Sequence, residues 1–274
     1  MNNERKWLLR GGRGLNPAPF CLIGIVNVTP DSFSDGGKYI DPRNAVAHGL
    51  RLLDEGAGML DLGAESPRPF AEPVPEGEEI ARLMPVVARL REQRPDAVLS
   101  VDTLKAGTAR AALEGGADII NDVSACVADP ALLDVLAEYK PGYVLMHSQG
   151  SPREMQVNPR YGNVVEEILA FFEEHLARLV KAGLPEDRIV LDPGIGFGKN
   201  KDHTVAILKG LERFASLGRP LYVGLSRKSM LASNWNNGPK PPVWLSRCWP
   251  RGASLTIAFT TLPVARKRCG LSKL

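Results

Sequence analysis

Three polar side chains at the ends of apolar runs could hold a flat, nitrogen-rich heterocycle by its edge. They are Asp102, Asn121 and Asp192, and each directly follows a short hydrophobic stretch. A carboxylate accepts two N–H bonds from an amidine-like edge, and an asparagine side chain pairs with a neighbouring donor and acceptor. Together these residues predict a site that binds the hydrogen-bonding rim of a ring.

Cationic residues in comparable positions indicate an anion beside that ring. Lys228 brings a positive charge to a ring carbonyl oxygen or to a diphosphate. Arg68 and Arg227 are suited to bidentate pairing with an anionic group. The sequence thus predicts a ligand with a heterocyclic part and an anionic part.

The segment 27–40 is long for a connection between a strand and a helix, and loops of that length are commonly functional lids. Asn27 at its root is a candidate ligand for a metal or a phosphate. Asp35, like Asp31, either orients an amine or closes an Asx turn. Both interpretations of these aspartates stay open.

The remaining polar features give weaker signals. His147 stands at the end of a predicted strand, where a hydrogen-bonded wall residue is more common than a catalyst. The run Asp192–Gly198 has three glycines around one phenylalanine, which permits close backbone approach to a ligand. It matches neither a Walker loop nor a Rossmann fingerprint. The cysteines and histidines also lack the spacing of a zinc site.

The elements that must position these residues alternate between short apolar runs and longer segments of helical period. The predicted strands are Phe20–Val26, Met59–Leu62, Val98–Val101, Asp118–Ile120, Tyr143–Met146, Ile189–Leu191 and Leu221–Val223. The predicted helices lie near 43–56, 77–94, 105–115, 129–139, 162–182, 203–217 and from 229 onward. This alternation is typical of parallel βαβ units, and seven units predict an α/β fold of the TIM (β/α)8 type. The eighth βα unit is not evident.

Polar and ionisable residues follow nearly every predicted strand. In a barrel the carboxyl ends of all strands converge on one mouth, where active sites are built from the βα loops. Asp, Asn and Ser at such junctions also cap the following helix, and at any single position capping is about as common. The recurrence at successive junctions, with Arg and Lys among them, favours a site.

Composition places the chain among ordinary globular proteins. It has 274 residues, of which 44% are hydrophobic and 24% charged, and a single barrel needs about 250 residues. No stretch is long and apolar enough for a membrane span, and the N-terminus lacks the apolar segment of a secretory signal. The 4 cysteines are scattered like the reduced thiols of a cytoplasmic protein. We therefore expect a cytoplasmic protein without a membrane partner.

The chain divides into an N-terminal extension (1–19), a barrel (20–233) and an atypical tail (234–274). The tail holds seven Lys and Arg, three of the four tryptophans and no acid, whereas the rest holds 27 basic and 31 acidic residues. Basic, aromatic segments can bind nucleic acid. The abrupt change of composition instead favours out-of-frame translation from about residue 234, so no nucleic-acid partner is expected.

Six segments together resemble dihydropteroate synthase, in the order and at the spacing of that family. They are Gly24–Gly37, Asp61–Pro69, Ser100–Asp122, Met146–Gln156, Leu191–Lys199 and Gly224–Leu231. The resemblance implies a TIM barrel that condenses 6-hydroxymethyl-7,8-dihydropterin diphosphate with 4-aminobenzoate, giving 7,8-dihydropteroate and pyrophosphate. It also implies Mg²⁺ as cofactor, a homodimer, and a sulfonamide target in folate biosynthesis.

The resemblance also implies a role for individual residues. Those that correspond to the pterin site are Asp102, Asn121, Met146, Asp192 and Lys228. Those that correspond to the shell around aminobenzoate are Phe33, Pro69, Phe197, Arg227 and Ser229. Asn27 and Arg68 are placed for the diphosphate, and Asn27 also for the metal. The expected catalytic residues are Asp35, Asp102 and Lys228.

The chain departs from the family pattern in two places. The second loop has Pro67 and Phe70 where the family has threonine and glycine, which predicts altered aminobenzoate or sulfonamide affinity. After residue 233 there is no Arg-x-His, the pair that binds the diphosphate in the family. A barrel without its closing strand predicts weak activity or poor solubility, although Leu255–Thr261 could pair as a makeshift eighth strand.

Three other functions compete with the synthase. A pterin-binding methyltransferase would share the Asp and Asn ligands, but it needs neither the 27–40 lid nor the run Ser226–Ser229. A non-catalytic pterin binder would result if the tail has removed the anion site. A nucleic-acid binder rests on the tail alone.

Overall fold

Parallel strands with helices between them form most of a closed barrel. The computed structural model describes residues 6–16, 20–29, 41–65, 73–149 and 159–224, and the backbone of 255–259. A hairpin of β1 (Trp7–Leu8) and β2 (Gly14–Leu15) precedes the barrel. Seven parallel strands follow: β3 (Cys21–Asn27), β4 (Met59–Gly63), β5 (Leu99–Asp102), β6 (Ile119–Asp122), β7 (Gly142–Met146), β8 (Ile189–Asp192) and β9 (Leu221–Val223). All seven predicted strands are confirmed.

The helices of the described ranges are α1 (Pro42–Asp54), α2 (Glu76–Gln93), α3 (Ala106–Glu114), α4 (Leu132–Tyr139), α5 (Val164–Ala182), α6 (Lys201–Lys209) and α7 (Leu211–Ala215). The single helix predicted for 203–217 is wrong. The chain breaks at Gly210, where an added Cβ would lie 2.9 Å from a Val165 methyl of α5. Close packing on α5 therefore ends α6. The helix predicted from 229 onward lies outside the described residues.

A last strand, β10 (Leu255–Phe259), closes the barrel between β9 and β3. Pairing by the segment Leu255–Thr261 is confirmed for these five residues, but the strand runs antiparallel to both neighbours. A parallel strand needs a crossover that returns the chain to the other end of the barrel. β10 instead runs back from the end where β9 stops. The barrel is thus a TIM-type sheet of seven parallel strands with one inverted closing strand.

Alternation along the strands separates two sets of side chains. One set points outward and packs against the helices in the main hydrophobic core. The other set points into the barrel, and its members near the amino ends of the strands are apolar: Ile23, Met59, Val98, Ile119, Val144 and Val190. The lower barrel is therefore a packed core. Within the ranges described above, no helix combines the length and the hydrophobicity that crossing a bilayer requires.

The hairpin covers the lower end of the barrel. Trp7 is fully buried, and its indole Nε1 donates to the backbone oxygen of Arg188 at 2.7 Å. The Arg188 guanidinium in turn donates to the backbone oxygen of Leu9 at 2.8 Å. Gly142 leaves room for the Trp7 and Leu9 side chains, since a Cβ at this position would lie 2.8 Å from the Leu9 side chain. Trp7 and Leu9 of the predicted N-terminal extension thus belong to the barrel core.

We expect Trp7→Ala to lower the free energy of unfolding by about 3–5 kcal/mol, because it empties a buried indole site. Trp7→Phe keeps most of the ring and loses one hydrogen bond, so it should lower that free energy by about 1 kcal/mol. Urea unfolding measures both. Val127→Ala is the control, since Val127 is 65% exposed; an equal effect of Trp7→Ala and the control would contradict the role of the hairpin.

Candidate active site

The inward-facing set of side chains becomes polar toward the carboxyl ends of the strands. Asp102 and Asn121 are register partners on β5 and β6, and Met146 and Asp192 are register partners on β7 and β8. Asn27 ends β3 and is exposed to solvent. The prediction that these strand ends share one mouth is confirmed, because the barrel closes and each of these residues has the inward parity.

The polar residues next to these inward positions form hydrogen bonds with nearby backbone and side-chain groups instead. Asp122 points outward and accepts hydrogen bonds from the Ser124 backbone at 2.7 Å and the Tyr143 hydroxyl at 2.9 Å. Thr103 accepts from the Lys105 backbone at 3.2 Å. These two outward residues close the turns after β5 and β6 but do not cap the next helices, because α3 and α4 both begin without a side-chain cap. The ligand interpretation fits the inward residues.

Asn121 rests on a buried carboxyl group. Its Nδ2 donates to Oδ2 of Asp61 on β4 at 2.8 Å, and the Tyr222 hydroxyl on β9 donates to the same oxygen at 3.2 Å. All three side chains are at most 7% exposed. Because these strands lie on different sides of the barrel, this network crosses its interior below the mouth.

Carboxyl groups dominate the electrostatics of the mouth. Burial raises the pKa of Asp102 well above its usual range, and repulsion from Asp61 adds to the effect. Burial also raises the pKa of Asp61, while the hydrogen bonds from Asn121 and Tyr222 oppose that rise. Burial and the nearby carboxylates raise the pKa of Tyr222. Such a site favours N–H donors and cations, which stabilise the charged carboxylates.

The loop after β8 is pressed against the end of β7. The Asp192 carboxylate accepts from the Gly194 backbone at 2.7 Å, and Phe197 follows in the same turn, partly buried. Gly194 has a φ of +64°, and a Cβ there would lie 1.9 Å from the His147 backbone oxygen. Only glycine fits this close approach. The glycines of the run therefore place Asp192 and Phe197 beside the mouth.

A buried lysine fastens this loop to His147. The Lys199 ammonium donates to Nδ1 of His147 at 2.9 Å and to the Phe197 backbone oxygen at 2.9 Å. Burial, and then the charge of Lys199, lower the pKa of His147 to about 3. His147 is thus a neutral, hydrogen-bonded wall residue, as its position predicted.

The second loop is anchored at both of its described ends. The Lys105 ammonium contacts Glu65 at 2.5 Å and the buried Glu79 at 2.6 Å. Glu65 also accepts from the Val74 backbone at 3.2 Å. These contacts fix the two positions between which the segment with Arg68 runs.

Most residues predicted for the diphosphate and for aminobenzoate, together with Lys228 of the pterin site, lie outside the described residues. This applies to Asp31, Phe33, Asp35, Pro67, Arg68, Pro69, Phe70, Arg227, Lys228 and Ser229. Their roles stay predictions.

The structure adds four residues that strand-end reasoning missed. Asp61 was detectable as the one charged residue inside the apolar run 59–62, at inward parity. Lys199 follows the glycine run directly. Tyr222 and Lys105 gave no local signal, because their partners are far away in sequence.

Asn27 is the one predicted metal ligand, and it lies among the described residues. No cluster of three His, Cys, Asp or Glu suited to a metal occurs in the described part of the chain. Mg²⁺ commonly takes few protein ligands and completes its shell with water and substrate phosphates. The exposed amide oxygen of Asn27 at the mouth fits that mode.

A family model described as pterin binding enzyme matches residues 23–259. The chain is 43% identical to dihydropteroate synthase of Escherichia coli over 232 residues, which cover 85% of this chain and 82% of the relative. The chain belongs to the dihydropteroate synthase family. The family match extends over β10, which the six segments quoted above did not reach.

Solved structures of dihydropteroate synthases share this fold. The Yersinia pestis enzyme in complex with a sulfonamide drug has a TM-score of 0.77 and 42% identity, over 85% of this chain and 84% of that one. The Xanthomonas albilineans enzyme with 4-aminobenzoic acid has a TM-score of 0.75 and 43% identity, over 84% of this chain and 82% of that one. A second Xanthomonas structure holds 7,8-dihydropteroate.

The low pKa of His147 predicts a specific dependence of stability on pH. The unfolded chain binds a proton at this histidine near pH 6.5, whereas the folded chain binds it only near pH 3. The stability contributed by the neutral ring is therefore complete above about pH 6.5 and is lost as the pH falls toward 3, by up to about 1.4 kcal/mol per unit. His147→Asn keeps an acceptor for Lys199 and should lack this slope in urea unfolding at pH 4.5–7.5. A pH-independent difference between the two proteins would contradict the assignment.

Proposed function

We propose that this chain condenses 6-hydroxymethyl-7,8-dihydropterin diphosphate with 4-aminobenzoate, giving 7,8-dihydropteroate and pyrophosphate. The observation that carries the proposal is the convergence of Asp102, Asn121 and Asp192 at one mouth, inside a barrel of the dihydropteroate synthase family. The ligands of the Xanthomonas relative support the same pair of substrates.

The pterin edge is assigned to the inward carboxylates and the amide between them. Asp102 accepts N–H bonds from the ring, and Asn121 answers an adjacent donor and acceptor. Asp192 binds the far part of the edge, and Met146, 2% exposed, forms an apolar wall. Lys228 supplies the cation that this carboxylate-rich site favours.

The diphosphate and aminobenzoate are assigned to residues of the loops around the mouth. Arg68 pairs with the diphosphate, and Asn27 binds both it and Mg²⁺. When bound, the metal stabilises the negative charge on the departing pyrophosphate. Phe33, Pro69, Phe197, Arg227 and Ser229 surround aminobenzoate, while Asp35 orients its amine.

The reaction needs little acid–base chemistry from the protein. The C–O bond to the diphosphate breaks first, and the resulting cationic pterin is stabilised by the Asp102 carboxylate. The aminobenzoate amine then attacks the exocyclic carbon, and its nitrogen loses one proton to solvent or to the departing pyrophosphate. Catalysis thus rests on positioning and on charges fixed before the reaction.

Three further properties are part of the proposal. The active form is a homodimer, as the family resemblance implies. Sulfonamides compete with aminobenzoate, as the ligand of the Yersinia relative suggests. The protein works in the cytoplasm, in line with the free thiols of Cys21 and Cys126.

A non-catalytic pterin binder is the second candidate, and the inverted β10 favours it. Because β10 runs antiparallel to β3 and β9, it is not the strand of a parallel βα unit, and the sequence after residue 233 contains no Arg-x-His. Out-of-frame translation from about residue 234 accounts for this tail. The intact mass of the native protein and the sequence of the 3′ end of its gene test this frameshift directly. An in-frame gene that encodes this tail would contradict it.

Pyrophosphate release separates the candidate functions. The synthase releases pyrophosphate from the pterin diphosphate much faster when 4-aminobenzoate is present, and it forms dihydropteroate in equal amount. A binder or a pterin-binding methyltransferase retains affinity for the pterin without forming dihydropteroate. Release that is no faster with aminobenzoate than without it would contradict the condensation.

Asp102→Asn tests the pterin site with opposite effects on activity and stability. It should lower pyrophosphate release by about 100-fold or more, because the carboxylate acts on developing positive charge. The raised pKa means that the folded chain disfavours charged Asp102, so the parent loses stability as the pH rises above about 3.9. Asp102→Asn should therefore melt at a higher temperature than the parent at pH 8. Asp54→Asn, at an exposed ion pair, is the control and should change neither.

A chimera tests the contribution of the tail. Residues 234–274 are replaced by the corresponding C-terminal part of the Escherichia coli relative, which restores the Arg-x-His pair. Because hydrogen bonds to charged groups contribute about 1.5–3 kcal/mol each, the rate of pyrophosphate release should rise about ten-fold or more. An unchanged rate would show that the tail does not limit activity.

A further inference from the structure

The side-chain amide of Asn121 has two ends of opposite character, and its orientation decides what it offers a ligand. Its Nδ2 lies 2.8 Å from Asp61 Oδ2, which leaves Oδ1 and the second N–H for other partners. Asn121 pairs in register with Asp102, so these groups stand beside the Asp102 carboxyl. A flipped amide would present a different pattern of donor and acceptor to the ring.

Asp61 opposes the flipped orientation. A flip would place Asn121 Oδ1 near Asp61 Oδ2, so two acceptors would meet in a site where Asp61 is 4% exposed. Loss of the buried hydrogen bond together with this repulsion disfavours the flip by about ten-fold or more. Asp61, which lies below the mouth, thus determines where the Asn121 amide presents its donor and its acceptor to a ligand.

This constraint does not depend on the protonation of Asp61. Oδ2 already accepts from both Asn121 and the Tyr222 hydroxyl, at 2.8 and 3.2 Å. Neither of these groups donates to Oδ1, so a proton on this carboxyl group would reside there. In either state Oδ2 remains an acceptor and Nδ2 must face it.

We propose that Asp61, supported by Tyr222, is a positioning residue that fixes the amide orientation of Asn121 for pterin binding. Asp61 lies one layer below the mouth, level with Ile25 and Ser100 in the register of β3 and β5. It acts through Asn121. The inference rests on the proposed function, because it concerns a residue assigned there to the pterin edge.

A double-mutant cycle tests the inference in the full chain. Asp61→Asn keeps the shape but can turn an amide N–H toward Asn121, which favours the flipped orientation and leaves about one-tenth of the chains competent. It should weaken binding of the pterin diphosphate about ten-fold by calorimetry, with the KM for 4-aminobenzoate within about two-fold of the parent. In an Asn121→Ala background the same change should weaken binding by less than about two-fold, since the group that it orients is gone.

Matched variants keep the result interpretable. Thr204→Val removes a buried hydroxyl that bonds to the Asn200 backbone oxygen at 2.9 Å, on α6 and not on the Asp61 network, and should leave pterin affinity unchanged. If Asp61→Asn shows no cooperative melting, the cycle is run with Tyr222→Phe, for which about a three-fold loss is expected.

Two results would overturn the inference alone. One is unchanged pterin affinity in folded Asp61→Asn, and the other is an equal loss in the parent and in Asn121→Ala, which would mean that Asp61 acts independently of Asn121. Unchanged affinity in Asn121→Ala by itself would instead overturn the assignment of Asn121 to the pterin, and with it the proposed site.

Discussion

Carboxyl groups crowd the upper interior of a barrel that largely excludes water, and the rest of the site follows from that crowding. Burial raises the pKa values of Asp61 and Asp102, and repulsion from nearby carboxylates raises that of Asp102 further, so the folded chain holds these groups against their preference for solvent. The network stays stable because donors reach it: Asn121 and Tyr222 both donate to Asp61. A ligand edge rich in N–H groups supplies donors to Asp102, which is partly exposed at the mouth. The clustered carboxyl groups at the mouth therefore favour a pterin-like ring, whose N–H groups stabilise their charged forms.

The lower barrel makes this arrangement rigid. Apolar inward residues fill the amino ends of the strands, and Trp7 of the hairpin covers them from outside. Near the mouth, the contact between Lys199 and His147 joins the loop after β8 to the end of β7. The glycine at 194 is required because its backbone nearly touches the His147 backbone oxygen. Positioning of Asp192 thus depends on close backbone packing, which suits a site that works by orientation.

The sequence predicted much of this architecture because its signals are local. Apolar runs located all seven parallel strands, and polar residues after them located the mouth. Long-range contacts were beyond such reasoning: the two-residue strands around Trp7 are too short to leave a pattern, and the break at Gly210 arises from packing against Val165. The direction of β10 depends on the connection before it. Asp61 and Asn121 are 60 residues apart in the chain, so only the closed barrel reveals that one orients the other.

The central claim is that the pterin edge binds to Asp102, Asn121 and Asp192 at the mouth. A crystal structure of this chain with 7,8-dihydropteroate tests it most directly. The account predicts that the ring rim lies within hydrogen-bond distance of these three side chains, with Nδ2 of Asn121 still on Asp61. A ring bound elsewhere on the barrel, or bound at the mouth without contact to Asp102 and Asn121, would contradict it.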